Sequence, residues 1–223
     1  MRRTWFIQAG GYLVLLVLIF EWLGISDRSV GQVLLSALVG LVILAGGIWL
    51  IAAALAGSER VGLQRIVRVA IWVGAMAAVA GFGMFLGIFR ARVGLSIASH
   101  LTLWSRHPVK PQPMGTVYIV LVTIATVAGL LALLPLASRA ATGAGTAAGR
   151  LWRDWRYWAI SGALVAVGYW LPGLVVGWVP KFSGFAMQTV SMLIRFALAY
   201  GIAVAAWLAI AWQARGSRFA TTA

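Results

Sequence analysis

Apolar residues in this chain come in long uninterrupted blocks separated by short polar patches, not at every second position as in a half-buried strand. About 20 apolar residues at 1.5 Å each cross the roughly 30 Å hydrocarbon core of a bilayer. Six blocks reach that length, approximately 5–24, 30–56, 66–89, 114–137, 155–179 and 185–212. Unpaired backbone groups are too costly in lipid for any open structure, and no series of alternating strands that could close a barrel is present. The expected fold class is therefore all-α, a polytopic transmembrane helical bundle with about six spans. It forms a single integral membrane domain over 1–223.

The first block follows Arg2 and Arg3 as the core of a signal peptide would, but it ends Glu21-Trp22-Leu23-Gly24-Ile25 without a small-x-small cleavage site. It reads as an uncleaved first helix. Between the third and fourth blocks, Val93 to Trp104 is apolar but too short to span. On a helix, Val93, Ile97, His100, Leu101 and Trp104 share one face, which suits a short interfacial helix. The stretch then ends in Pro108, Pro111 and Pro113, which favour an extended, solvated segment. The connection from Ser138 to Asp154 carries Gly143, Gly145 and Gly149 among Ala and Thr and reads as a flexible linker. Three spans on either side of the proline-rich connection would make an inverted repeat, for which the only hint is that the second and sixth spans are both rich in Ala and Gly.

Composition strengthens the membrane reading. The chain is 62% hydrophobic and 10% charged, whereas soluble domains are about a quarter charged. The net charge of +14 does not point to nucleic acid, because the 18 Lys and Arg fall mostly at the ends of apolar blocks, where they act as topogenic anchors. Placing both termini in the cytoplasm puts Arg2, Arg3, Arg60, Arg65, Arg68, Arg139, Arg150, Arg153, Arg156, Arg215 and Arg218 inside. Arg28, Arg90, Arg92, Arg106, Lys110 and Lys181 then lie outside, so the inner side carries the excess. Tryptophans fit the same frame, with Trp5, Trp152, Trp155, Trp158 and Trp212 at the inner interface and Trp22, Trp104 and Trp178 at the outer one. Trp49, Trp72, Trp170 and Trp207 are expected to be packing residues. Arg far outnumbers Lys, a bias associated with GC-rich bacterial genomes, and the expected location is a bacterial cytoplasmic (inner) membrane.

The polar residue that stands out is Arg195, near the middle of the sixth block, where an arginine costs about 2.5–3.5 kcal/mol on insertion scales. At 100° per residue Gln188, Ser191, Arg195 and Ala199 form one stripe, a candidate intramembrane polar seam. Glu21 is the one carboxylate inside an apolar block and the candidate partner for Arg195. Three readings stay open for Arg195: a structural clamp on Glu21 or on backbone carbonyls, a contact for a solute or ion, and snorkelling to the outer surface. Small residues spaced by four, Ala197, Gly201, Ala205 and Ala209, suit close helix approach, as do Gly83/Gly87 and Gly173/Gly177. Pro172 should kink the fifth span, and Pro180-Lys181 with Ser183 and Gly184 reads as a tight outer turn.

Catalytic chemistry finds few candidates. With no cysteine, four acids and two histidines, thiol chemistry is excluded, and neither a metal nor a haem site is indicated at His100 and His107. Gly94-Leu95-Ser96 beside His100 superficially resembles an intramembrane serine protease, but no later helix carries a histidine base. Gly143-x-Gly145 follows no strand and is not a phosphate loop. No catalytic residue, cofactor or metal is therefore assigned. The expected function is a non-catalytic membrane subunit or scaffold of a complex, partnered by the bilayer and by another membrane protein or a second copy of itself. The alternative is a small-solute or ion transporter or channel component built on the Arg195 seam.

Overall fold

A computed structural model describes residues 2–25, 28–57, 61–143, 148–180 and 184–215. Every regular element in them is an α-helix: α1 Arg2–Leu23, α2 Val30–Ala56, α3 Leu63–Ile88, α4 Arg90–Ser105, α5 Pro111–Thr142, α6 Ala148–Arg153, α7 Trp155–Gly177 and α8 Phe185–Ala214. Six of them, α1, α2, α3, α5, α7 and α8, are long and apolar enough to cross a membrane. The all-α multi-pass architecture is thus the one the apolar blocks predict, and a further helix, α4, stands between the third and fourth spans. Lys181 and Ser183 of the expected outer turn, with Arg60, Gly145 and Arg218, lie outside the described residues.

The largest departure from expectation is at the prolines. Pro111 opens α5 and Pro113 lies in its first turn, so the helix starts before Met114, where the apolar block begins. The first N–H groups of a helix have no acceptor within it, so a proline there gives up nothing. At its other end α5 continues past Ala137 to Thr142, through Pro135. The expected linker is correspondingly shorter and contains the one-and-a-half-turn helix α6. α7 contains Pro172, the residue expected to kink it, inside its helical span.

Side chains that would be intolerable in water face outward from these helices. Leu23, Val30, Leu63 and Ile88 each expose more than two thirds of their surface. In a bilayer the lipid tails are as apolar as leucine, so the helices must hold together by close fit and not by hydrophobic burial. Glycine and alanine provide that fit.

The chain divides into two compact units, Met1–Ala70 with Pro135–Ala223, and Ile71–Leu134. In the larger unit α1 and α2 run antiparallel: the Gln8 side chain meets the Leu50 carbonyl, Leu15 packs on Gly46, and Trp22 lies on Gly40. The Trp22 indole N–H reaches both the Ser36 carbonyl at 2.8 Å and its hydroxyl at 2.9 Å. α7 and α8 form a second antiparallel pair, in which Gly168 faces Ala206 and the buried Ser161 hydroxyl donates to Gln213 Oε1 at 2.7 Å. The buried core of this unit includes Leu50, Ala52, Ala54 and Leu55 of α2 and Ala206, Ile210, Ala211 and Ala214 of α8. Trp170, expected to pack, points outward on α7, as does Trp49 on α2.

In the smaller unit the partners of α5 change in a single register. Val79 lies against Gly129, Gly83 against Thr126, Gly87 against Ile119 and Gly94 against Gly115. Residue numbers fall on one side as they rise on the other, so α3 and then α4 pack antiparallel along α5. The backbones come closest at Gly94, where an added Cβ would come within 2.8 Å of the Gly115 Cα and the Pro111 carbonyl. Gly94 and Ala98 are the buried face of α4, and the stripe ending at Trp104 flanks it, with Val93 and Leu101 half-buried and Ile97, His100 and Trp104 exposed.

Candidate functional site

Arg195 lies on α8 and is half-buried. Because Gly168 stands level with Ala206 and α7 ends at Gly177, the guanidinium comes alongside the last turn of α7. The final carbonyls of a helix have no donor within it. Arg195 supplies one: Nη1 donates to the Val176 carbonyl at 2.7 Å and to the Trp178 carbonyl at 2.8 Å, while Nε donates to the Ser191 carbonyl one turn back at 3.3 Å. A positive charge there also complements the negative end of the α7 dipole.

This geometry corrects the pairing expected with Glu21. Glu21 is exposed near the end of α1, and no hydrogen bond or ion pair joins it to Arg195. Ser191 meets Arg195 through its backbone carbonyl, and Gln188 lies exposed on the same helix. Of the expected seam, Ser191 and Arg195 are joined by this hydrogen bond. The physical reason is competition. Unfilled carbonyls at the end of the adjacent helix are closer acceptors than a carboxylate on α1.

Two more arginines lie at helix C-termini in the larger unit. α2 ends at Gly57, whose φ of +73° favours glycine, and the Arg215 guanidinium lies against the face where a Cβ would stand. Burial there lowers the Arg215 pKa from its ordinary value. α5 ends at Gly143, φ +71°, whose N–H donates to the Arg139 carbonyl at 2.9 Å, and Arg65 lies beside it.

A polar junction that the apolar blocks conceal joins α1, α2 and α8. Gln8 is fully buried; its Nε2 donates to the Leu50 carbonyl at 3.0 Å, while its Oε1 has no partner. One turn on, Tyr12 lies beside Tyr200 and Trp207 of α8. The Tyr200 hydroxyl donates to the Ala9 carbonyl, close to the Leu13 N–H. The Trp207 indole N–H turns toward the Tyr12 oxygen without closing a hydrogen bond. Gly11 lets α2 approach by presenting no side chain, and Leu50 fills the space over it. Gln8 lies in the first apolar block, where one glutamine leaves no mark on the pattern, and only Trp207 of the four was singled out in the sequence, as a packing residue.

Seven hydroxyl groups of the helices are turned inward on their own backbones. Ser99, Thr102, Thr116, Thr123, Thr126, Thr142 and Thr189 each donate to the carbonyl four residues earlier. Exposed His100 places Nδ1 2.7 Å from the Ser96 carbonyl, and His107 is exposed beyond the end of α4. Among the described residues no three His, Asp or Glu side chains gather in a metal-binding arrangement. No protein-family model, curated protein or solved structure matches the chain.

Proposed function

We propose that this protein is a non-catalytic multi-pass membrane subunit that holds partner membrane helices, inserted in a bacterial inner membrane with both termini in the cytoplasm. One observation carries the reading: Arg195, Gln8 Nε2, Tyr200 and seven Ser and Thr hydroxyls of the helices donate to backbone carbonyls of this same chain, while broad apolar helix faces are left outward. Arg195, the residue best placed for solute contact, has its guanidinium on three carbonyls. The α8 stretch ahead of it extends past the end of α7 and exposes Phe185, Met187, Val190 and Leu193. Such a surface suits another apolar helix or lipid and offers little to a hydrated solute.

A transport reading has a different centre from the seam at Arg195. It is favoured by the unpartnered Gln8 Oε1 and Trp207 N–H, buried polar atoms of the kind a passing solute satisfies. Gentle extraction followed by native-mass analysis separates the two. A stoichiometric protein partner supports the subunit reading. A partner-free protein whose reconstituted flux is abolished by Gln8→Leu overturns it.

A further inference from the structure

The segment Arg150-Leu151-Trp152-Arg153-Asp154-Trp155-Arg156 intersperses arginines and tryptophans where the chain passes into its fifth span, which starts at Trp155. α6 ends at Arg153 and α7 begins at Trp155, with Asp154 between them in an extended conformation, φ −85° and ψ 105°. The helix is thus broken at the residue before the span. Two contacts fix the corner. Asp154 accepts the Arg156 N–H at 2.9 Å, capping α7. The Trp158 indole N–H donates to the Trp152 carbonyl at 3.0 Å, tying the first turn of α7 to the last turn of α6.

The charges at this corner are left over. Asp154 is the segment's one carboxylate, and its bond is to a backbone N–H, not to a guanidinium. Arg150, Arg153 and Arg156 are exposed, and among the described residues their side chains have no partner. Arg195 and Arg215, by contrast, lie against the backbone of their own chain. Arg150 and Arg153 are three residues apart on one helix, so their Cβ atoms are about 5–6 Å apart and their like charges repel. An anion between them removes that repulsion. Guanidinium forks match the oxygens of a phosphate in particular.

The tryptophans decide which phosphate. Trp155 is 72 % exposed and Trp152 43 % exposed, at the foot of a spanning helix. Indole rings favour the headgroup level, with the apolar body toward the acyl chains and the N–H toward water. A phosphate held here therefore stands where lipid phosphates already lie. We propose that the α6–α7 corner is a binding site for the phosphodiester of an anionic phospholipid, held by Arg150, Arg153 and Arg156 with Trp152 and Trp155 against its glycerol and upper acyl chains. This stands independently of the subunit reading, since it concerns lipid and not a protein partner.

The test is native mass spectrometry of the full chain in mild detergent, titrated with phosphatidylglycerol or phosphatidylcholine. The wild-type protein should retain phosphatidylglycerol preferentially, and the triple variant Arg150→Gln, Arg153→Gln, Arg156→Gln should lose that preference by up to a hundredfold, on the order of the effect of three cations near an anionic surface. Arg106→Gln with Lys110→Gln, near the end of α4, should leave it unchanged. Replacing the three arginines by lysine preserves charge but not the fork and should lose part of the preference, which keeps the test valid if the glutamine variant does not fold. Undiminished preference in both variants, or an acidic protein that displaces the lipid from the corner, overturns the proposal.

Discussion

An arginine in a membrane helix needs acceptors, and the supply closest at hand is the carbonyl groups that every helix leaves unfilled at its C-terminus. Arg195 uses those of α7, and Arg215 and Arg65 lie at the ends of α2 and α5. Removing Arg195 leaves the end of α7 without its donor in a region of low water content. Arg195→Ala should destabilise the protein in detergent by about 1.5–3 kcal/mol, the range for hydrogen bonds from a charged group. Arg195→Lys should recover part of that, since an ammonium still donates but without the planar fork. Because Glu21 is not its partner, Glu21→Ala should add to Arg195→Ala within about 0.5 kcal/mol in a denaturation cycle. A coupling clearly beyond that would restore the carboxylate pairing. Gln8 poses a different problem, being fully buried with one amide oxygen unpartnered. Gln8→Leu keeps the volume and removes the orphan acceptor, so its unfolding midpoint should stay close to wild type. Gln8→Glu buries a carboxyl in the same place and should lower the midpoint sharply at neutral pH.

Helices were far more legible in the sequence than the contacts between them. A span declares itself by a length of apolar residues set by bilayer thickness, so the six blocks fall on the six long helices. Their ends were harder to read, because Pro111 and Pro113 break a helix in its middle but not in its first turn. Lateral contacts leave a weaker trace. In water a buried face is marked by apolar residues, but in lipid both faces are apolar, and only small residues and sparse polar ones distinguish the packed side. The junction of Gln8, Tyr12, Tyr200 and Trp207 joins the two ends of the sequence, Tyr200 bonding the Ala9 carbonyl 191 positions away, and nothing in the local pattern links them. Spacing of small residues was a partial guide. Gly83 and Gly87 pack on α5, whereas nothing lies within 4 Å of a Cβ at Gly173, Gly177 or Gly201. Gly83→Leu should therefore lower the thermal stability of the isolated protein by several degrees, while Gly201→Leu leaves it unchanged. Equal losses at the two positions would mean that α8 is packed on its Gly201 side within the monomer.

At the scale of the molecule, six spans require both termini on one side of the membrane, whichever side that is. In the proposed orientation that side is the cytoplasm, on the excess of basic residues it would carry. The six exceptions on the other side, four of them between Arg90 and Lys110, weaken the bias without reversing it. Of those four, Arg90 and Arg92 lie in the first turn of α4 while Arg106 and Lys110 follow it, and α4 packs along the first turns of α5 through Gly94 and Gly115, so these charges stay with that end of the hairpin. The absence of cysteine makes the assignment directly measurable, since each introduced thiol would be the sole one. Ser29→Cys, before α2, and Ser105→Cys, at the end of α4, should react with a membrane-impermeant maleimide in intact spheroplasts. Gly62→Cys, before α3, and Gly149→Cys, in α6, should react only after permeabilisation. The reverse pattern would invert the protein while keeping its fold, placing the Arg150–Arg156 corner on the outer leaflet. Labelling of Ser29→Cys and Ser105→Cys from opposite sides would be more damaging, because it requires an odd number of crossings between them and would remove one of the spans now assigned to α2 and α3.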